Sequence, residues 1–247
     1  MGVSEVTALA GDGNVVSMAV YNPAEILSYN VKTKATSTLS DPYGAPIDIA
    51  IGKDHTIYAL NYKNVAVFSA GSSPPKELTC SDISEGDAIA VDNEGDVFVG
   101  GYGGAAFSGV VEFPVGSTVC QIVPLRKTSG YIGGVGIDPK TDALIVVDNP
   151  GDCASGLEGR MRIYSKPYGH KRVLQRNLKA TYCAGTFRLD ATSSLIFLQD
   201  ASVSAGTPFI DQRTYPGGKR SGTYRHGSFG STGNPIGFTT IPNTLPN

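Results

Sequence analysis

Charge is scarce in this sequence: 17% of the 247 residues are Asp, Glu, Lys or Arg, and the net charge is −2. Lys and Arg are scattered, which excludes the concentrated basic patch that nucleic acid or an anionic membrane surface requires. The densest basic stretch, 166–179, alternates with apolar residues and is expected to be a solvated outer strand. No apolar run approaches the roughly 18 residues of a membrane span. Helical periodicity is missing too, so a helical solenoid is excluded. The four cysteines include no Cys-x-x-Cys pair, which disfavours zinc and thioredoxin-like chemistry. The histidines, His55, His170 and His226, share no metal-ligand spacing. There is no Gly-x-Ser-x-Gly elbow. The run Gly100-Gly-Tyr-Gly-Gly104 is followed by no helix that would hold a phosphate, and it is expected to be a flexible loop.

What the chain has instead is turn formers. Glycine is abundant at 31 residues, with 15 prolines and frequent Asn, Asp and Ser. These residues supply positive φ angles and Asx turns, so many short strands joined by many turns are expected. No Pro- or Ser-rich linker separates two different halves, and one domain is the better reading.

The strands repeat. The third unit runs Asp87-Ala-Ile-Ala-Val91, an Asp92-Asn-Glu-Gly95 turn, Val97-Phe-Val99, then Val110-Val-Glu-Phe113, a Pro/Gly turn and Cys120-Gln-Ile-Val123. Comparable units start at Val6, Ile47, Val135 and Phe187, and their third strands end at Tyr29, Phe68, Phe113, Tyr164 and near Tyr215. A four-stranded unit recurring every ~40–50 residues is the signature of a β-propeller blade. One blade cannot bury both its faces alone, whereas blades stacked around an axis cover each other.

The expected architecture is therefore an all-β, single-domain propeller with units near 5–45, 46–85, 86–131, 132–182 and 183–234. Five blades are favoured over six. A surplus strand-like segment, Ile236–Ile241 within 235–247, is expected to close the ring by letting strands from both termini share a blade.

The Asp turn followed by an apolar strand, as in Ala90-Val-Asp-Asn-Glu-Gly-Asp-Val-Phe-Val99 and Gly136-Ile-Asp-Pro-Lys-Thr-Asp-Ala-Leu-Ile145, resembles the NHL-repeat and gluconolactonase-like propellers. That superfamily includes binding scaffolds, lactonases and other hydrolases, so the resemblance implies the fold and leaves function open. In such propellers the loop entering the first strand and the loop leaving the second open on one face, the top. Second-strand exits then contribute Asn22, Asn61, Tyr102, Asp148, Asn149 and Asp200. Entrances contribute Asp48 and Asp87, with Tyr131 and Tyr182 just upstream.

Two uses of that face follow. In a binding propeller, Asn61, Asp87, Tyr102, Asn149 and Arg188 would hold a small polar or anionic ligand or a protein partner. The planar fork of Arg188 suits a carboxylate, phosphate or sulfate, and its alternative role is an internal salt bridge to Asp48 or Asp87. In a metal-dependent lactonase or esterase, as the resemblance implies, Asp48, Asn61, Asp148, Asn149 and Asp200 would hold Ca²⁺ or another divalent cation. Asp148 and Asp200 are then the candidate catalytic residues. A glycan-binding or glycan-processing propeller is a third use, since Tyr/Asn-rich mouths suit sugars.

Cys153 and Cys183 map to the same face of neighbouring blades and are expected to form a disulfide. Cys80 and Cys120, one repeat apart on outer strands, are a geometrically less comfortable pair. Disulfides and the low charge point to a secreted or periplasmic monomer. The opening Met-Gly-Val-Ser-Glu is no signal peptide, so the leader is expected to lie outside this sequence.

Overall fold

The structure, a computed structural model, describes residues 6–69, 74–103, 108–125, 130–151, 157–168, 172–179, 181, 183–190, 192–200 and 209–225. Its twenty strands form five four-stranded antiparallel sheets, with no helix among the described residues. Each sheet is one blade of a five-bladed propeller, built from strands consecutive in sequence. The first blade holds β1 (Val6–Asp12), β2 (Val15–Val20), β3 (Glu25–Asn30) and β4 (Thr36–Ser40). The second holds β5 (Asp48–Ile51), β6 (Ile57–Leu60), β7 (Asn64–Phe68) and β8 (Lys76–Thr79). The third holds β9 (Glu85–Val91), β10 (Val97–Tyr102), β11 (Ser108–Phe113) and β12 (Gln121–Ile122). β13 (Tyr131–Ile137), β14 (Leu144–Asn149), β15 (Arg160–Tyr164) and β16 (Arg172–Asn177) make the fourth. β17 (Ala184–Leu189), β18 (Leu195–Asp200), β19 (Phe209–Thr214) and β20 (Arg220–Arg225) make the fifth.

The core lies between blades. Side chains alternate across a strand, and in β14 both sets are buried. Leu144 and Val146 enter the cluster shared with Phe98, Val110 and Val135 of blades three and four. Ile145 and Val147 enter the cluster shared with Phe187, Ile196 and Leu198 of blades four and five. This explains why the second strands read as unbroken apolar runs rather than as alternation. Equivalent clusters join blades one and two, around Ile26, Ile49 and Phe68, and blades two and three, around Leu60, Val97 and Phe113.

Hairpins between first and second strands are set by aspartates. In the third blade Asp92 Oδ1 accepts the backbone N–H groups of Glu94, Gly95 and Asp96 at 2.9–3.0 Å, and Gly95 takes φ +97°. Asp190 Oδ1 accepts those of Ser194 and Leu195, each at 2.7 Å. These are the Asx turns that the repeat displays in sequence.

No apolar cluster joins blades five and one among the described residues. Arg188 of β17 instead reaches from blade five to blades two and one. Its Nη2 donates to Asp48 Oδ1 at 2.7 Å and its Nε lies 3.4 Å from the Leu9 carbonyl oxygen of β1. Because the first blade takes all four strands from the N-terminal segment, no described blade mixes strands from both termini; Ile236–Ile241 lies outside the described residues.

Cys80 follows β8 and Cys120 precedes β12, and the two form a disulfide with Cα atoms 5.7 Å apart. β12 spans just two residues, and both cysteines pack on the cluster between the second and third blades. The less comfortable pair thus meets across that seam. Cys183 is disulfide-bonded as well, while Cys153, its expected partner, lies outside the described residues.

The glycine run needs correction. Gly100 and Gly101 are buried residues of β10, not a flexible loop. A Cβ on Gly100 would lie 2.7 Å from Val135 Cγ1, and one on Gly101 would lie 2.2 Å from the Glu85 carbonyl oxygen. Glycine stands there because neighbouring strands press against the backbone. The basic stretch also behaves differently at its start: Lys166 donates to Asp92, Glu94 and Asp142 at 2.8, 3.2 and 2.8 Å.

Candidate functional site

Strand pairing places the first-strand entrances beside the second-strand exits. Val6 pairs with Val20, Asp48 with Leu60, Glu85 with Tyr102, Tyr131 with Asn149 and Ala184 with Asp200. All ten ends open on one face. At its centre lies a cavity of about 680 Å³, walled by Asp48, Asp87, Tyr102, Tyr131, Thr186 and Gln199 together with glycine and alanine backbone. A smaller cavity of about 300 Å³ opens on the opposite face against Ala50, Ala90, Gly136 and Arg188. The Asp48–Arg188 ion pair stands between the two. Arg188 also donates to the Phe187 carbonyl at 2.9 Å and to Thr186 Oγ1 at 3.1 Å. Asp48 in turn accepts the N–H groups of Ile49 and Ile89 at 2.9 and 3.0 Å. Arg188 is therefore committed to the salt bridge that was the second of its two expected roles.

Asp87 is the polar centre of the upper cavity. Its Oδ1 accepts the Tyr131 hydroxyl at 2.7 Å, while its buried Oδ2 takes no hydrogen bond. Burial raises its pKa to about 6; the Tyr131 hydrogen bond opposes that rise and the charge of Glu85 adds to it. The Tyr131 phenol is pushed up as well, by burial first and then by the Asp87 carboxylate. This is the arrangement of a carboxylate whose charged form is poorly solvated.

The other sequence candidates are engaged within the fold. Asn61 is buried, donating through Nδ2 to Asp41 Oδ2 at 3.2 Å and Asn64 Oδ1 at 2.8 Å. Asp148 is fully buried and accepts Arg162 Nε at 2.7 Å and Nη2 at 3.1 Å, with Arg160 3.4 Å away. Asn149 clasps the backbone of Ala184, donating to its carbonyl at 2.8 Å and accepting its N–H at 3.0 Å. Asp200 is buried and accepts the Cys183 N–H at 3.2 Å. Asn22 is an exposed turn residue, and Tyr182 lies outside the described residues.

The carboxylates of Asp48, Asp148 and Asp200 thus serve three different local networks. Among the described residues they do not converge on one point. The one described group of acid, Cys or His ligand atoms within reach of a single ion is Cys80, Asp82 and Cys120, and its sulfurs form the disulfide. Of the histidines, His55 is exposed and paired with Asp12, and burial plays little part there. The Asp12 carboxylate raises its pKa. His170 and His226 lie outside the described residues.

Of the candidates, Asp48, Asp87, Tyr102 and Tyr131 line the upper cavity. Sequence reading missed Thr186, Gln199 and Glu85, and it missed a pattern. At or just beyond the end of the second strand, the first three blades carry Tyr21, Tyr62 and Tyr102, all exposed. The fourth blade ends that strand on Asn149. The recurrence of tyrosine at the second-strand end was the available signal.

No protein-family model matches this chain, and no curated protein matches it. Solved structures do. A chain in the nidogen/laminin complex superposes with TM-score 0.71 and 15% identity over 90% of this chain and 80% of that one. The Dos1 propeller gives TM-score 0.59 and 11% identity over 93% and 59%. YCF48 bound to D1 peptide gives TM-score 0.55 and 13% identity over 90% and 66%. At such identities the likeness establishes the β-propeller fold.

Proposed function

We propose that this chain is an extracytoplasmic binding propeller that takes a small polar ligand at the top mouth of its channel. The observation that carries this reading is the cavity of about 680 Å³ at that mouth. It is floored by the Asp48–Arg188 pair and supplied with a few polar groups, Asp87 and Tyr131 foremost. A largely preformed concavity with sparse, convergent polar groups is what small-ligand sites look like. Two of the similar structures, the nidogen/laminin complex and YCF48 bound to D1 peptide, are complexes, which supports a binding role for the scaffold. The Cys80–Cys120 disulfide is consistent with an oxidising compartment.

We assign the blades to the NHL-repeat type on the Asx turns at Asp92, Asp138 and Asp190. A binding role is preferred to a metal-dependent hydrolase because Asp148, the carboxylate that would hold the ion and activate water, is saturated by Arg162.

The test is a ligand-observed NMR screen of small amines, alcohols and acids against the wild type and Gln199→Trp, which fills the cavity from its wall. The proposal expects hits that vanish in the variant while its unfolding stays cooperative. A screen without hits, or hits that persist in Gln199→Trp, would refute the site.

A further inference from the structure

We propose that the upper cavity selects a ligand bearing a cationic nitrogen, an ammonium or protonated amine, over neutral and anionic counterparts. The proposal rests on that cavity being a binding site. Charge decides the sign. Among the described residues, Asp87 is the carboxylate of this lining not tied to a cation, and the exposed Glu85 lies near it. Asp87 lines the cavity, and Glu85 sits two residues earlier on β9, close enough to act electrostatically on both Asp87 and Tyr131. The guanidinium below them, Arg188, is bound to Asp48 at 2.7 Å. Among the described residues an arriving anion therefore meets the like charge of Asp87, with Glu85 near it, and no free cation, whereas an arriving ammonium meets opposite charge.

Hydrogen bonding points the same way. Asp87 Oδ1 is held by the Tyr131 hydroxyl, and Oδ2 is buried without a donor. A carboxylate with one oxygen left without a donor carries an under-stabilised charge, and a cation beside it offsets that charge more strongly than a neutral group does. The aromatic side chains complete the set. Tyr102 and Tyr131 line the cavity, and Tyr62, exposed on the adjacent blade, acts electrostatically on Tyr131. Phenol faces attract cations and offer nothing to anions.

The groups facing Asp87 among the described residues are Glu85 on its own strand, Tyr131 from β13, Tyr62 beyond β6, Tyr102 from β10 and the Asp48–Arg188 pair. Asp87 itself has its pKa raised to about 6, first by burial, so it is charged above that pH and neutral below. Selection for the cation should fade as pH falls through 6.

Benzylamine, benzyl alcohol and benzoate present one ring with a positive, neutral or negative group and serve as probes. Protein-observed NMR titration at pH 7.5 should show benzylammonium binding about 10- to 100-fold more tightly than the other two. That preference should collapse at pH 5 and in Asp87→Asn, whose amide keeps the Tyr131 acceptor. Benzoate binding most tightly, or a preference untouched by Asp87→Asn, would overturn the proposal. If none of the three binds while other screen compounds still enter the cavity, the cationic assignment fails and the site stands. If nothing enters it, the site itself fails. Should Asp87→Asn not fold, the pH dependence of the wild type decides alone.

Discussion

Replacing Arg188 with Met tests how this ring is closed. Among the described residues four seams are packed by apolar clusters, and between blades five and one there is none; this guanidinium ties blade five across the channel to Asp48 of blade two and lies 3.4 Å from the Leu9 carbonyl of blade one. Asp48 is 3% exposed and Arg188 17% exposed at the side chain. The pair is thus largely but not wholly desolvated. The lost contacts are one ion-pair hydrogen bond at 2.7 Å and two bonds that the guanidinium donates to neutral acceptors, the Phe187 carbonyl and the Thr186 hydroxyl. Removing one partner of a buried pair costs about 3–5 kcal/mol when the other is stranded. Asp48 is not stranded, since the N–H groups of Ile49 and Ile89 still serve it. The expected loss is therefore at the lower end, about 3 kcal/mol. Asp48→Asn should cost about 2 kcal/mol, and the double variant about 2 kcal/mol less than the sum. Urea unfolding of the four proteins gives the cycle. Native-state hydrogen exchange should speed up in β1 more than in β13, because Arg188 lies against the Leu9 carbonyl of β1. Additivity within about 0.5 kcal/mol, or unchanged exchange in β1, would refute the clasp.

Asp87→Asn should stabilise the protein at neutral pH. Between 3.8 and about 6 the folded form keeps a proton that the unfolded chain has lost, so wild-type stability falls as pH rises through that window. The gap between variant and wild type in thermal unfolding should open across the window and vanish below it; a constant gap would show that the carboxylate is not desolvated. The double variant Cys80→Ser/Cys120→Ser releases a loop of sequence separation 40 and should lower stability by about 4 kcal/mol on the chain-entropy estimate, read from the urea midpoint. Asp148→Ala leaves Arg162, 1% exposed, without its carboxylate and should cost about 3–5 kcal/mol. In folded molecules ligand binding at the cavity should be unchanged, and lost binding without lost stability would return Asp148 to the candidate site.

The blades were legible because each carries its own local evidence. An Asp/Gly turn sits between two apolar strands and an aromatic residue ends the third, so four strands can be read without knowing what touches them. The site was legible only in part. Whether Asn61, Asp148 or Asn149 faces a ligand or a neighbour depends on partners that are distant in the chain. Arg162 and Ala184 are such partners, and nothing in the pattern around Asp148 or Asn149 announces them. Arg188 was the exception, because a charged residue in a row of Ala50, Ala90 and Gly136 must find a counter-charge on the channel. Gly100 and Gly101 misled for the opposite reason: a glycine required by close packing looks the same in sequence as one in a loop. Asp87 and Tyr131 were both placed on the top face, but their hydrogen bond joins two blades, which a reading unit by unit does not capture.

The account's central claim is that the top mouth, centred on Asp87, receives a ligand. A crystal structure of the protein with benzylammonium at neutral pH tests it most directly. The account predicts the ring in the upper cavity and the nitrogen within hydrogen-bonding distance of the Asp87 carboxylate. A ligand ordered in the lower cavity beside Arg188, or on an outer blade surface with the upper cavity left to solvent, would contradict it.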